Sequence, residues 1–334
     1  MRYIIIGAGA VGGTIGARLF ESGHEVVLVA RGAHLAALRS DGLRFTSPEG
    51  TRTLAVPAVS GPEEIALRPG DVLLLAVKTQ DTPGVLAAWA PRPVEGGGTA
   101  GELLPVVCAQ NGVENERLAL RLFRHVQAMC VWLPATHLEP GRVTCMGAPM
   151  SGVLTLGRYP SGADGTSAAI AADLEKSAFG APVSPDVMRW KYTKLLGNLA
   201  NALNAVAGPL DGELRMAVYR RASAEGRAVL AAAGIPHEEP HEQARANGEL
   251  VRQVPWKDGE DGERTGGSSW QSLVRGTGSV ETDFLSGEIV LLARLHGTPA
   301  PVNEALQQLT SEFARTGRAA GSLTDAELAA LLDA

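Results

Sequence analysis

Residues 1–13 read MRYIIIGAGAVGG. An apolar run, Tyr3–Ile6, passes directly into Gly7-Ala8-Gly9-Ala10-Val11-Gly12, which fits G-x-G-x-x-G. On its own such a pattern is weak. Here it follows a strand-like run and opens a helix-like one, Gly12–Ser22, and its mechanics become specific. Gly7 permits a tight turn, Gly9 lets backbone N–H groups approach a pyrophosphate, and Gly12 lets the helix lie close to the strand. The helix N-terminus adds partial positive charge. A coincidental glycine turn is the competing explanation; the strand–glycine–helix order favours a dinucleotide site. The apolar run is too short for a signal peptide, and the glycines break it at once.

Outward from this stretch, Val26–Val29, Val72–Val77 and Leu104–Ala109 are rich in Val, Ile and Leu with little polar alternation. Strands buried on both sheet faces have that composition. Ala33–Arg39 is helix-like, and Leu43–Phe45, Val126–Trp132 and Val153–Leu156 are further short strands. Strand–helix–strand order implies a doubly wound parallel sheet. After about Pro185 apolar residues recur at three and four positions, predicting helices over Val187–Ala207, Glu213–Ala233, Val280–Leu295, Val302–Arg315 and Asp325–Leu332. Pro182 and Pro185 interrupt both patterns. The expected fold class is therefore an α/β N-terminal Rossmann-type doubly wound parallel sheet over 1–184, followed by a mostly α-helical C-terminal domain over 185–334. Asn247–Gly267 is polar and reads as a loop between helices, either a surface insertion or a lid.

The 334 residues suffice for two ordinary domains, with 45% hydrophobic and 20% charged residues, as in soluble globular proteins. A net charge of −6, with no dense basic run, argues against a nucleic-acid partner. No apolar stretch is long enough to cross a membrane. Cys108, Cys130 and Cys145 fit no zinc motif or disulfide framework, so the expectation is reduced thiols, no metal and a cytoplasmic location. An apolar face on the helical domain would allow a homodimer, but nothing in the sequence fixes the oligomeric state.

The end of the second strand separates NAD from NADP. NAD enzymes commonly place an acid there; VVLVARGAHL places Ala30 and Arg31. Arg31 can pair with a 2′-phosphate, so NADPH is the expected cofactor. Lys78 in AVKTQDT and Asn111 in CAQNGVENE also follow strand ends, the edge at which doubly wound sheets bind ligands. From position alone Lys78 is equally a structural lysine, and Asn111-Gly112 is equally turn chemistry.

In the second half, WKYTKLLGNLANALNA at Trp190–Ala205 has a helical pattern but carries three asparagines, which are mediocre helix formers. On a wheel with Lys194 at zero, Asn198 falls at about +40° and Asn201 at about −20°, with Leu195, Leu196, Leu199 and Leu203 spread from about 100° to 200°. A leucine face packs inward and a Lys/Asn stripe faces away, either towards solvent or towards a ligand needing directional hydrogen bonds. Lys191 lies near the same stripe, so geometry does not choose between the lysines. Farther on, Ser268 and Ser269 stand where N-capping serines stand, and Glu281 lies near the start of the helix expected to reach Leu295. An acid in a first turn also simply complements the helix dipole.

Four segments in order resemble the ketopantoate reductase (2-dehydropantoate 2-reductase) family: GAGAVG with Arg31, VKTQDT with AQNGVE, KLLGN, and SSWQSLVRGTGSVETDFLSGEIVLLARLHGTPAPVN. Ser269 and Glu281 have the family's separation, Pro301-Val302-Asn303 supplies its late P-x-N, and Lys194 with Asn198 matches its K-x-x-x-N. The resemblance implies NADPH on the first domain, held by Gly7, Ala8, Gly9, Ala10, Val11, Gly12, Arg31, Lys78 and Asn111. It implies a 2-oxo acid in a cleft between domains, reduced to a 2-hydroxy acid, with ketopantoate to pantoate the leading reaction. It singles out Lys194 as proton donor with Glu281 beside it, and Asn111, Asn198, Asn201 and Ser269 as substrate contacts. Two positions depart from the family: Ala202 stands where a second asparagine is usual, and Leu273 where an aspartate often follows the serine pair. Because those are substrate positions, a different 2-oxo acid or ketone is the alternative, followed by an NADPH-binding regulator without turnover. The Lys194–Glu281 pair speaks against the regulator, which needs no proton donor.

Overall fold

The computed structural model describes residues 1–254, 266–276 and 278–332. The chain divides into two compact units. The first holds Met1–Trp190 and, of the described residues, 244–254; the second holds Lys191–Gln243 and the described residues from 266 onward.

In the first unit, β1 (Arg2–Ile6), α1 (Ala10–Glu21), β2 (Glu25–Val29) and α2 (Gly32–Asp41) come first. The hairpin β3 (Leu43–Ser47) and β4 (Gly50–Leu54) leads to β5 (Ala58–Val59) and β6 (Asp71–Leu75). Next come α3 (Thr82–Trp89), the single turn α4 (Ala100–Leu103), β7 (Pro105–Cys108), α5 (Asn115–Leu120) and β8 (His125–Trp132). Short strands β9 (Ala135–Thr136), β10 (Arg142–Cys145) and β11 (Gly147–Pro149) precede β12 (Gly152–Arg158), α6 (Gly165–Lys176) and β13 (Phe179–Gly180).

The main sheet has the order β13-β12-β8-β7-β6-β1-β2-β5. From β5 to β8 every pair is parallel, and the order reverses at β1, where the neighbours are β2 and β6. Alternate residues of one strand enter different cores. Tyr3 and Ile5 join Leu28, Leu74 and Val107 on one face; Ile4 and Ile6 join Leu73, Leu75 and Val106 on the other. That is the reason for the unbroken apolar runs. Each such side chain contributes about 1.5–3 kcal/mol by leaving water.

Two features depart from a uniformly parallel sheet. β12 runs antiparallel to β8. The chain between them holds only short strands and no crossover helix, and an antiparallel partner needs none. A second sheet, β4-β3-β10-β9, covers α1, with Val143 of β10 buried against Gly13.

The chain continues with α7 (Val187–Ala207), α8 (Glu213–Ala232), α9 (Pro240–Leu250), β14 (Val251–Gln253), α10 (Ser268–Val274), α11 (Ser286–His296), α12 (Pro301–Thr316) and α13 (Asp325–Ala330); the first turn of α7, α9 from Ala244 on and β14 belong to the first unit, and the rest builds the second unit. Leu203, Val206, Val218, Leu306, Phe313 and Leu328 form the core of the second unit. The division falls within α7, beyond the expected 184/185 boundary. Val187 is fully buried beside Gly157 of β12, and the Cys130 thiol donates to the Trp190 carbonyl at 3.5 Å, so the first turn of α7 stays with the sheet.

Three local expectations are corrected. The stretch beginning at Asn247 is not loop throughout: α9 runs to Leu250, and β14 pairs antiparallel with β11. The rest of the expected loop or lid, residues 255–265, lies outside the described residues. The helix expected over Val280–Leu295 is broken at Leu285 (φ −117°, ψ −89°): Glu281–Phe284 form a 3-10 turn and α11 starts at Ser286. Gln307 of α12 donates to Asp283 at 2.8 Å and pins that turn. Finally, the N-cap of α10 is Gly267, so Ser268 and Ser269 lie inside the helix rather than capping it.

Candidate active site

In the first unit the strand-order reversal at β1 brings the loops after β1, β2, β6 and β7 to one edge. Gly7–Gly12, Arg31, Lys78 and Asn111 all stand on those loops. The N–H groups of Gly7 and Ala8 both donate to the Val29 carbonyl, at 3.1 and 3.2 Å, folding the loop against the end of β2. Gly7 adopts φ +106°, and a Cβ there would lie 2.7 Å from the Val77 nitrogen, so only glycine fits. A Cβ at Gly12 would meet the Gly7 carbonyl oxygen at 2.1 Å and Ile5 Cγ2 at 2.9 Å, which is the close helix–strand packing. Gly9 differs: its nearest neighbour would be His137 Cδ2 at 4.0 Å. The space before the α1 N-terminus is therefore open to a ligand. No acid occupies the first turn of α1, where N–H groups of Ala10, Val11 and Gly12 lack helical partners.

His34 was not singled out in the sequence, yet it braces this loop. Its Nε2 donates to the Ala8 carbonyl at 2.8 Å, and its Nδ1 accepts from the Gly141 N–H at 2.9 Å. Those partners require the neutral Nε2–H tautomer. The His137 ring packs on it with centroids 4.4 Å apart.

Lys78, half-buried, precedes the 3-10 turn Thr79–Asp81; half-buried Asn111 follows β7. A buried amide–hydroxyl network joins their two loops. Gln110 donates to Thr82 Oγ1 at 2.8 Å, and Thr82 donates to Asn115 Oδ1 at 2.8 Å. Asn115 Nδ2 reaches Thr79 Oγ1 at 3.1 Å and the Asn111 carbonyl at 3.2 Å. Thr79, Thr82 and Asn115 are fully buried, so the motifs VKTQDT and AQNGVE lock each other in place. Beside the network, burial raises the Glu114 carboxyl above the ordinary carboxylate range against the pull of Arg117 and Arg121. Arg31 follows β2 by two residues, at the N-cap of α2, with its side chain 75% exposed, and its guanidinium stands 3.7 Å from Asp81.

In the second unit, Leu195, Leu196, Leu199 and Leu203 of α7 are fully buried, while Lys194, Asn198 and Asn201 are half-buried on another face. Lys191 is itself buried, at 4% exposure. The amides on this face do not all share one task. Asn204 accepts from the Gly267 N–H at 3.1 Å and donates to the Gly208 carbonyl at 3.2 Å, so it ties the start of α10 to α7. Asn201 reaches the same place: a Cβ on Gly267 would lie 2.7 Å from its Oδ1. Asn201 and the Ser268-Ser269 segment are thus brought together. Ser269 is 1% exposed, and its hydroxyl has no hydrogen-bond partner among the described residues. A buried orphan hydroxyl costs about 1–3 kcal/mol, a cost that a polar ligand would relieve. Glu281 is buried in its 3-10 turn.

The P-x-N motif is structural. Glu225, buried in α8, accepts from the Val302 and Asn303 N–H groups at 3.2 and 3.1 Å, capping α12. The Asn303 amide donates to Glu225 and to the Ala222 carbonyl, both at 2.9 Å.

A sheet edge with this glycine loop is of the dinucleotide-binding class, and the helical unit adds a lysine–amide face. Residues 3–161 match the model of the family described as ketopantoate reductase PanE/ApbA, and residues 186–314 match its C-terminal model. The chain belongs to the ketopantoate reductase family. It is 29% identical over 329 residues to the 2-dehydropantoate 2-reductase of Halobacterium salinarum, covering 95% of this chain and 100% of that one. The same enzyme of Archaeoglobus fulgidus is 29% identical over 315 residues, covering 92% and 96%. Among solved structures, a PanE/ApbA family ketopantoate reductase from Ralstonia eutropha JMP134 matches with TM-score 0.76 at 29% identity, covering 95% of this chain and 100% of that one. The ternary structure of D-mandelate dehydrogenase with NADH and anilino(oxo)acetate shares the fold, with TM-score 0.77 at 21% identity over 96% and 100%. Among the described residues no helix is long and apolar enough to cross a membrane.

Proposed function

We propose that the protein reduces 2-dehydropantoate to pantoate with NADPH, in the cytoplasm, with Lys194 as proton donor. The observation that carries this reading is the match of both family models, in order, over both units of the chain. The open approach at Gly9 and the acid-free α1 terminus suit a pyrophosphate, and exposed Arg31 at the end of β2 suits a 2′-phosphate. When bound, the dinucleotide supplies a hydride to C2 of the 2-oxo acid. Negative charge then grows on the ketone oxygen, and the Lys194 ammonium stabilises it and transfers a proton to it. Glu281 orients that ammonium or accepts from a substrate hydroxyl. Asn111, Asn198, Asn201 and the orphan Ser269 hydroxyl supply hydrogen bonds to carboxylate and hydroxyl groups, and Lys78 adds positive charge at the sheet edge.

Reduction of another 2-oxo acid is the second reading, favoured by Ala202, which is packed into the helical core where an asparagine is usual. NADPH oxidation against a panel of 2-oxo acids separates the two. Turnover of ketopantoate far above the others supports the first; preference for another member supports the second. Tight NADPH binding with no turnover of any member refutes both.

A further inference from the structure

β2 and β6 flank β1 on opposite sides. Neighbouring strands stand about 4.8 Å apart, so the ends of β2 and β6 are separated by about 10 Å. The Arg31–Asp81 pair, 3.7 Å between Nη2 and Oδ2, therefore spans the width of β1 at the edge where the glycine loop sits. Asp81 closes the 3-10 turn Thr79–Asp81 and precedes α3 with helical φ −86° and ψ −15°. Its side chain makes no capping hydrogen bond. Its carboxylate is turned to Arg31 instead.

We infer that Asp81 is a cofactor-specificity residue: the resident counter-ion of Arg31, which a 2′-phosphate must displace. This rests on the NADPH reading above. A phosphate and a carboxylate compete for the same guanidinium, and each repels the other. Asp81 thereby lowers the advantage of NADPH over NADH below what Arg31 alone would give. The displaced carboxylate, 44% exposed, turns to solvent. NADH, which brings only hydroxyls to this position, leaves the pair in place.

The test is direct titration of NADPH and NADH into the full chain at low ionic strength, for wild type, Asp81→Asn, Asp81→Glu, Arg31→Ala and the Arg31→Ala/Asp81→Asn double variant. An exposed ion pair of this kind predicts that Asp81→Asn raises the ratio of NADH to NADPH dissociation constants by about two- to five-fold. Asp81→Glu, which keeps the charge, stays near the wild-type ratio, and the gain shrinks when Arg31 is absent. An unchanged or lowered ratio in Asp81→Asn overturns the inference. So does an equal gain with and without Arg31, which would mean simple repulsion rather than competition. If Arg31→Ala weakens NADPH and NADH alike, the 2′-phosphate reading fails first. If Arg31→Ala is selective for NADPH and Asp81→Asn is silent, only the role of Asp81 is lost.

Discussion

Gly9→Ala tests the cofactor edge most cleanly, because the structure separates its effect on folding from its effect on binding. The added methyl would have His137 Cδ2 at 4.0 Å as its nearest neighbour, an ordinary contact. Gly9 has φ −74°, which alanine adopts freely. The substitution gains about 0.4–1 kcal/mol by restricting the unfolded chain. It loses roughly 0.5–1 kcal/mol because alanine is a poorer N-cap than glycine. Net stability should therefore move by less than about 0.5 kcal/mol. Bound pyrophosphate would meet the methyl directly. Pushing the phosphate off one charge-assisted hydrogen bond costs about 1.5–3 kcal/mol, or roughly 10- to 150-fold in dissociation constant. Gly12→Ala is the contrast: its Cβ would stand 2.1 Å from the Gly7 carbonyl oxygen, so α1 must shift before any ligand arrives. That overpacking should cost about 1–3 kcal/mol of stability as well as affinity. Thermal unfolding and NADPH titration of the two variants check this. Wild-type NADPH affinity in Gly9→Ala would refute the close phosphate approach; a strongly destabilised Gly9→Ala would refute the steric argument.

The second unit gives three further expectations. Lys194→Ala should reduce kcat by about 10²- to 10⁴-fold with NADPH affinity within a few-fold of wild type, and equal damage to chemistry by Lys191→Ala would reassign the proton donor. Asn303→Ala removes both amide hydrogen bonds, one of them to a buried carboxylate, and should cost about 2–4 kcal/mol in denaturant unfolding while leaving NADPH affinity unchanged; a loss of affinity without a loss of stability would contradict its structural role. Glu327 is held at about 2, first by Arg318 and then by the Thr324 N–H and hydroxyl. A carboxyl lowered on folding stabilises at pH above its unfolded value near 4.5, and that contribution disappears as pH falls towards 2. Hydrogen-exchange protection in α13, relative to the intrinsic rate at each pH, should accordingly fall below about pH 4.5 before that of the sheet core does, and an equal loss of protection in both would argue against it.

How far the site was legible depended on how local its physics is. The glycine loop was readable because turn, open approach and packing are set by residues a few positions apart, and the structure gives Gly7, Gly9 and Gly12 those separate roles. The wheel put the α7 leucines inward correctly, since burial follows helical period. It could not divide the amides. Asn204 and Asn201 meet Gly267, a residue far along the chain, and no periodicity announces that contact. His34 escaped notice for the same reason, as its second partner is the Gly141 N–H. Glu281 was placed on the right segment but in the wrong element, because the break at Leu285 is held by α12 rather than by a local breaker residue.

Strand and helix identity, the dinucleotide edge and the absence of an acid at the end of β2 were properties of short stretches, and they followed from composition and spacing. Pairing was not. That β12 turns antiparallel, that β14 joins β11 in the first unit, and that Asn303 binds Glu225 and the Ala222 carbonyl all rest on partners distant in sequence. The same holds for Asp81. Nothing within VKTQDT announces its partner; in the folded unit it faces Arg31 across β1, because parallel strand order brings the ends of β2 and β6 to one edge.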